Sequence, residues 1–208
     1  MIIGIPVYQK VDLLDVTGPH EVFKWMSPEV EVRLIAETAN TMITTRDGFT
    51  FLAPHGFADV PSLDVLWVPG GAPEALKEIM SGPDTAYLDF LRSRSATAQY
   101  VCSVCEGALL LAQAGLLDGF AATTHWAFIP CLKQFPDIKV APGTPRFIHD
   151  RNRLTGGGIS SGLDEALKLV ELLCGYKAAQ DVQQTLQYYP DPPVKSTLPQ
   201  AMGCPFSW

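Results

Sequence analysis

Cys105 sits where an apolar run, Tyr100-Val101-Cys102-Ser103-Val104, meets a helix-forming stretch that opens on Glu106, Gly107 and Ala108. A strand, a single nucleophile-type residue and a helix with a nearby glycine is the layout of a nucleophile elbow. A sulfur seated at the mouth of that helix would face unsatisfied backbone N–H groups and the positive end of the helix dipole, which favour thiolate over thiol. The plainer alternative is an inert buried cysteine, the usual fate of a free thiol. Cys102 and Cys105 also form a C-x-x-C pair. A redox dithiol needs both sulfurs at a helix start, whereas Cys102 falls inside the strand pattern.

Three other segments follow apolar runs, and at the carboxyl ends of parallel strands such segments border a ligand crevice. In Leu14-Asp15-Val16-Thr17-Gly18-Pro19-His20, Asp15 is either an exposed or capping acid before a helix starting at Pro19, or a buried one. A buried carboxyl holds its proton and can pass it to a substrate. Gly70-Gly71 after Val68-Pro69 is either turn chemistry or a close backbone approach of the kind an oxyanion donor makes. Gly156-Gly157-Gly158-Ile159 has similar uses and lacks the spacing of a phosphate-binding loop. His125 after Thr124 is either the base of a Cys-His pair or a pocket wall, and His20 is read as a structural or pocket residue. The four histidines are scattered, so no metal site is expected.

The elements that must hold these residues alternate. Strands are predicted over residues 2–7, 30–36, 65–68 and 100–104, and helices over 19–26, 73–80, 85–95, 106–114, 126–135, 162–174 and 178–186. Continuous apolar strands between helices imply an α/β fold with a mostly parallel central sheet and helices on both faces. Asp47-Gly48 between Met42 and Ala53 reads as a small β-hairpin. The chain, 1–208, is read as one domain ending in a Pro-rich tail from 189 to 208 that packs on a surface or a partner. Fifteen basic against 22 acidic residues, without a Lys/Arg cluster, argue against nucleic acid. No leader and no spanning apolar run is apparent, so a soluble, cytoplasmic protein without membrane contact is expected. Five irregularly spaced cysteines suggest reduced thiols, with Cys131 and Cys174 in the core.

Ser103-Val104-Cys105-x-Gly107-Ala108, with Ala114-Gly115-Leu116-Leu117-Asp118-Gly119, Ala122-Thr123-Thr124-His125-Trp126 and Leu154-Thr155-Gly156-Gly157-Gly158-Ile159, resembles the ThiJ/PfpI superfamily. That superfamily shares the fold of the class I glutamine amidotransferases. Leu14-Asp15-x-Thr17-Gly18-Pro19-His20 and Leu186-Gln187-Tyr188-x-Pro190-x-Pro192-Pro193 are similar to its isocyanide hydratase branch. The resemblance implies a homodimeric, three-layer flavodoxin-like sandwich that needs no cofactor, with Cys105 as nucleophile and Asp15 as acid/base. The reaction it implies is a lyase-type hydration of a small-molecule isocyanide to an N-formamide. Thr17, His20, His125 and Trp126 would line the pocket. The backbone of Gly70, Gly71, Glu106, Gly157, Gly158 and Ile159 would border it or donate to an oxyanion.

One position departs from that branch, which usually carries threonine after the cysteine where this chain has Glu106. Pointing away, Glu106 merely complements the helix dipole; pointing at the sulfur, it raises the thiol pKa and implies a changed site. Two alternatives therefore stand beside an isocyanide hydratase. One is another cysteine enzyme of the superfamily, a dicarbonyl hydratase or an amidase. The other is a non-catalytic thiol-oxidation sensor. Either enzymatic reading requires a reachable sulfur with Asp15 beside it.

Overall fold

The computed structural model describes residues 1–206; Ser207 and Trp208 lie outside the described residues. In chain order the elements are β1 (Ile2–Pro6), α1 (Leu13–Lys24), β2 (Glu31–Ala36), β3 (Thr41–Thr44), β4 (Thr50–Ala53), β5 (His55–Gly56) and β6 (Val65–Val68). Then come α2 (Pro73–Ser81), α3 (Ala86–Ser95), β7 (Tyr100–Ser103), α4 (Gly107–Gln113), β8 (Ala121–Ala122), α5 (Ile129–Leu132) and β9 (Lys139–Val140). The chain continues through β10 (Phe147–Asp150), β11 (Arg153–Gly156), α6 (Ser161–Cys174) and α7 (Tyr176–Thr185).

Seven strands form the central sheet in the order β10-β11-β7-β6-β1-β2-β5. Every neighbouring pair is parallel except β10 and β11. The pleat explains the two-sided burial. Along β6, Leu66 and Val68 face a core built with Leu76 of α2, Leu91 of α3, and Leu109 and Leu111 of α4. Val65 and Trp67 face the other core, with Val16, Val22 and Phe23 of α1 and Ala166, Leu169 and Val170 of α6. Alternate residues of one strand thus glue helices to opposite faces, which makes the α/β three-layer sandwich. β3 and β4 pair antiparallel, Thr44 opposite Thr50, as the hairpin around Asp47-Gly48.

Several expectations need correction. α1 begins at Leu13, six residues before Pro19, so Asp15 lies inside its first turn rather than ahead of it. The stretch predicted as one helix over 126–135 is a 3-10 turn at Trp126–Phe128 followed by the short α5. The sheet is extended by β11 and β10, which were not expected as strands. Cys131 and Cys204 form a disulfide across 73 residues, so the thiols are not all free. Cys174, expected in the core, is exposed at the end of α6. The tail packs back on the fold through that disulfide and through Phe206, whose ring lies 5.2 Å from that of Phe128. Among the described residues no helix is long and apolar enough to cross a membrane.

Candidate active site

The chain leaves β7, and Val104 N–H still donates to Val68 O at 3.1 Å. Cys105 then turns with φ at +57°, in the left-handed region that L-residues occupy only at a cost of about 1–2 kcal/mol. Neighbouring groups hold that conformation. Cys105 N–H donates to Gly157 O at 2.8 Å, the Thr124 hydroxyl donates to Cys105 O at 2.7 Å, and Gly107 N–H donates to Val104 O at 3.0 Å. Gly107 is required here, because a Cβ would run into the Val68 carbonyl. A strained residue clamped at a strand-to-helix turn is where function is stored.

Asp15 is brought to this turn by a defect in its own helix. Pro19 has no N–H to give the carbonyl four residues back, and its ring crowds that carbonyl aside. The Trp67 indole N–H takes the Asp15 carbonyl instead, at 3.1 Å. Gly70 N–H donates to Asp15 Oδ2 at 2.9 Å, while Asp15 Oδ1 is buried without a hydrogen-bond partner. Glu106 also turns inward. It is 2% exposed, its carboxyl accepts a hydrogen bond from the Cys105 thiol, and its Oε2 has no hydrogen-bond partner. A Cβ on Gly70 would lie 2.5 Å from Glu106 Oε2 and 2.9 Å from Cys105 Cβ, so the bare glycine makes room for the Glu106 carboxyl beside Cys105.

The electrostatics reverse the expected thiolate. Burial pushes the Cys105 thiol well above its ordinary pKa, and the charges of Asp15 and Glu106 push the same way, against the pull of the Ile159 N–H. Burial first, then Asp12 and Glu106, raise the Asp15 carboxyl well above the carboxylate range. Glu106 is raised by burial against the pull of its hydrogen bond with the thiol. Arg46 sits 3.5 Å from Asp12 and is spent on that pair.

The expectation of a reachable sulfur is not met: Cys105 is 1% exposed and lines neither of the two hollows that meet at Ile159. One hollow, of about 430 Å³, is bounded by Asp12, Leu13, Leu14, Thr17, Arg46, Asp47 and Ile159. A second, of about 290 Å³, is lined by His125, Trp126, Gly157, Gly158 and Ile159 among others. Ile159 lines both and is the residue whose backbone N–H pulls the thiol pKa down.

Of the proposed oxyanion donors, Gly70 N–H is committed to Asp15, Gly157 N–H to Arg146 O at 2.9 Å, and Glu106 N–H to its own carboxyl. Gly71 forms an isolated bridge with Val11 and lies against the Tyr8 ring. Thr17 is exposed and spends its hydroxyl on Leu13 O at 2.9 Å. His20 lies one turn further along α1 and borders neither hollow. His125 Nδ1 accepts from Ala127 N–H at 3.3 Å, and burial lowers its pKa, so the ring is a neutral wall rather than a base at the sulfur.

Two residues escaped the sequence reading. Trp67 was legible only as an apolar strand residue. Glu165, fully buried with both carboxyl oxygens unpartnered, lies on the α6 stripe Gly162, Glu165, Ala166, Leu169, Val170, where an acid at core spacing was the missed signal. Among the described residues no group of His, Cys, Asp or Glu is arranged to hold a metal ion.

Residues 2–172 match the model of the DJ-1/PfpI family. The chain belongs to that family. It is 42% identical to the isonitrile hydratase of Pseudomonas putida over 197 residues, 95% of this chain and 82% of that one. The structure of a ThiJ/PfpI family protein from Pseudomonas syringae superposes with a TM-score of 0.84 at 34% identity, covering 93% of this chain and 77% of the other. DJ-1beta of Drosophila melanogaster, at 18% identity and a TM-score of 0.77 over 91% of this chain and 98% of its own, shares the fold. The HTH-type transcriptional regulator GbdR of Pseudomonas aeruginosa is 28% identical over 72% of this chain and only 37% of its own length. The chain thus resembles an isonitrile hydratase over most of both lengths and a transcriptional regulator over only part of the regulator's.

Proposed function

We propose that the protein is a cysteine-dependent isocyanide hydratase, R–N≡C + H₂O → R–NH–CHO. The reading is carried by one observation: 42% identity to an isonitrile hydratase along 95% of the chain, in a protein whose strained Cys105 has Asp15 for a neighbour. Cys105 Sγ attacks the terminal carbon, which is electrophilic and also able to accept a proton. Asp15, kept neutral by burial, is the acid that supplies that proton. The product is a thioimidate, Sγ–CH=N–R, and water then adds to its carbon, releasing formamide and thiol. A protonated, covered thiol suits a substrate that needs both a sulfur and a proton and no leaving group.

The substrate is a small, slender molecule that reaches the sulfur past Ile159. The protein works as a homodimer, for which the apolar hollow between α1 and α6, lined by Leu14, Val22, Leu163, Leu167 and Leu186, is a suitable face. The test is incubation of the purified chain with a panel of alkyl isocyanides, dicarbonyls and amides, following the formyl proton by NMR. Formamide from the isocyanides, lost in Cys105→Ala, is expected. Turnover of a dicarbonyl or amide with isocyanides untouched would transfer the protein to another cysteine chemistry.

A further inference from the structure

Two carboxyl groups, not one, converge on Cys105. Asp15 arrives from α1 and keeps Oδ1 bare; Glu106 arrives from the elbow itself and keeps Oε2 bare. Both meet at Gly70, whose N–H holds Asp15 Oδ2 and whose missing Cβ admits Glu106. Their environments differ in kind. Asp15 is 0% exposed and accepts from a neutral backbone amide. Glu106 accepts from the thiol itself. The other groups facing them are Asp12 with its partner Arg46, Tyr8 and, on the Asp15 side, Glu165. With one half-exposed cation already paired, two adjacent buried carboxyls and a thiol cannot all be ionised, and the proton count divides between the acids.

Resting on the isocyanide reading, we propose that Glu106 is a second catalytic residue, the base that takes the Cys105 proton, while Asp15 is the acid. In the first half, the thiol proton passes to the Glu106 carboxylate as the Sγ–C bond forms, and Asp15 protonates the former isocyanide carbon. In the second half, water bonds to that carbon and gives its proton to the Asp15 carboxylate. Glu106 protonates the nitrogen, leaving Sγ–CH(OH)–NH–R. Collapse returns the C–S electron pair to sulfur, and the hydroxyl proton passes by way of Glu106 to Sγ. Glu106 ends ionised, Asp15 protonated and Cys105 a thiol, as they began. The acid adjacent to the nucleophile is therefore working chemistry and not a helix-dipole ornament.

The experiment compares wild type, Glu106→Gln and Glu106→Asp for isocyanide hydration across pH, with the rate of Cys105 alkylation by iodoacetamide as the second readout and circular dichroism as the check on folding. Loss of the base is expected to lower kcat in Glu106→Gln by about 100-fold or more. It should also remove the acidic limb of the pH–kcat profile, and Glu106→Asp should recover part of both. Removing a like charge is expected to move the alkylation midpoint to lower pH in Glu106→Gln, so that the variant's thiol ionises more easily yet turns over more slowly. Folded Glu106→Gln with wild-type kcat and pH profile would overturn the assignment while leaving the hydratase reading intact. A wild type that hydrates no isocyanide overturns both.

Discussion

Trp67→Phe is expected to destabilise the protein by about 2–4 kcal/mol, although both side chains are aromatic and the ring packs in an apolar core. Pro19 leaves the Asp15 carbonyl without its helical donor, and Trp67 Nε1 supplies the replacement at 3.1 Å. Phenylalanine cannot, so a buried acceptor is stranded at a cost of about 1–3 kcal/mol. The remainder is the void left by the smaller ring, offset in part because the edge-to-face contact with Phe23, at 5.3 Å, survives. In a protein of this size each kcal/mol lowers the thermal midpoint by roughly 2–4 °C, giving a fall of about 5–15 °C by calorimetry. The decisive control is Pro19→Ala, which restores an N–H at residue 19 that can reach the Asp15 carbonyl within α1. In that background Trp67→Phe loses much of its penalty, and the double-mutant cycle reports a coupling of about 1 kcal/mol. Strict additivity of the two substitutions would refute the account of how Asp15 is positioned.

The disulfide and the buried acids give further tests. Cys204→Ser opens a loop of 73 residues and is expected to destabilise by up to about 4 kcal/mol, with faster proteolysis confined to the tail; an unchanged melting point in both reduced wild type and the variant would mean that the bridge does not anchor the tail. Glu165 is raised well above the ordinary carboxylate range by burial, so the unfolded chain releases this proton at lower pH than the folded one. Its contribution therefore makes stability fall as pH rises from about 4, the unfolded value, toward the folded one. Glu165→Gln is expected to gain stability relative to wild type at pH 8 compared with pH 5, read from urea midpoints; a constant difference between the two pH values would contradict it.

What could be read along the chain was whatever depended on local pattern. β6 was placed residue for residue, because Val65-Leu66-Trp67-Val68 is buried on both faces and bounded by turn residues. The elbow was legible for the same reason, since strand, cysteine, glycine and helix are contiguous. α1 was misread because Pro19 looks like the first residue of a helix, the commonest place for proline, whereas tertiary pairing with Trp67 tolerates it at the seventh. β10 was missed because Phe147–Asp150 lies at the sheet edge with polar residues in it, and β11 because Arg153–Gly156, although inside the sheet and largely buried, offers only Leu154 as an aliphatic signal, so neither shows a continuous apolar run. The Cys131–Cys204 bridge joins positions that only folding brings to 4.7 Å between Cα atoms, and no spacing announces it.

The most instructive miss is the state of the nucleophile, because it turns on the relative size of two effects. A helix start favours a nearby anion by about 0.3–1 kcal/mol when exposed, and by about 2 at best. Burying an ion costs several kcal/mol even after relaxation, and here two carboxyls add repulsion to that penalty. The elbow's dipole is outweighed, and Cys105 rests as a thiol. A cysteine enzyme built this way does not store a thiolate for any passing electrophile or oxidant. Under the proposed function it releases one when a substrate occupies the site and the proton has somewhere to go, which ties nucleophile formation to the fate of that proton at Glu106 and Asp15. An alkylation rate for Cys105 far below that of an exposed cysteine at neutral pH, alongside rapid turnover of an isocyanide, is the combination this balance of energies demands.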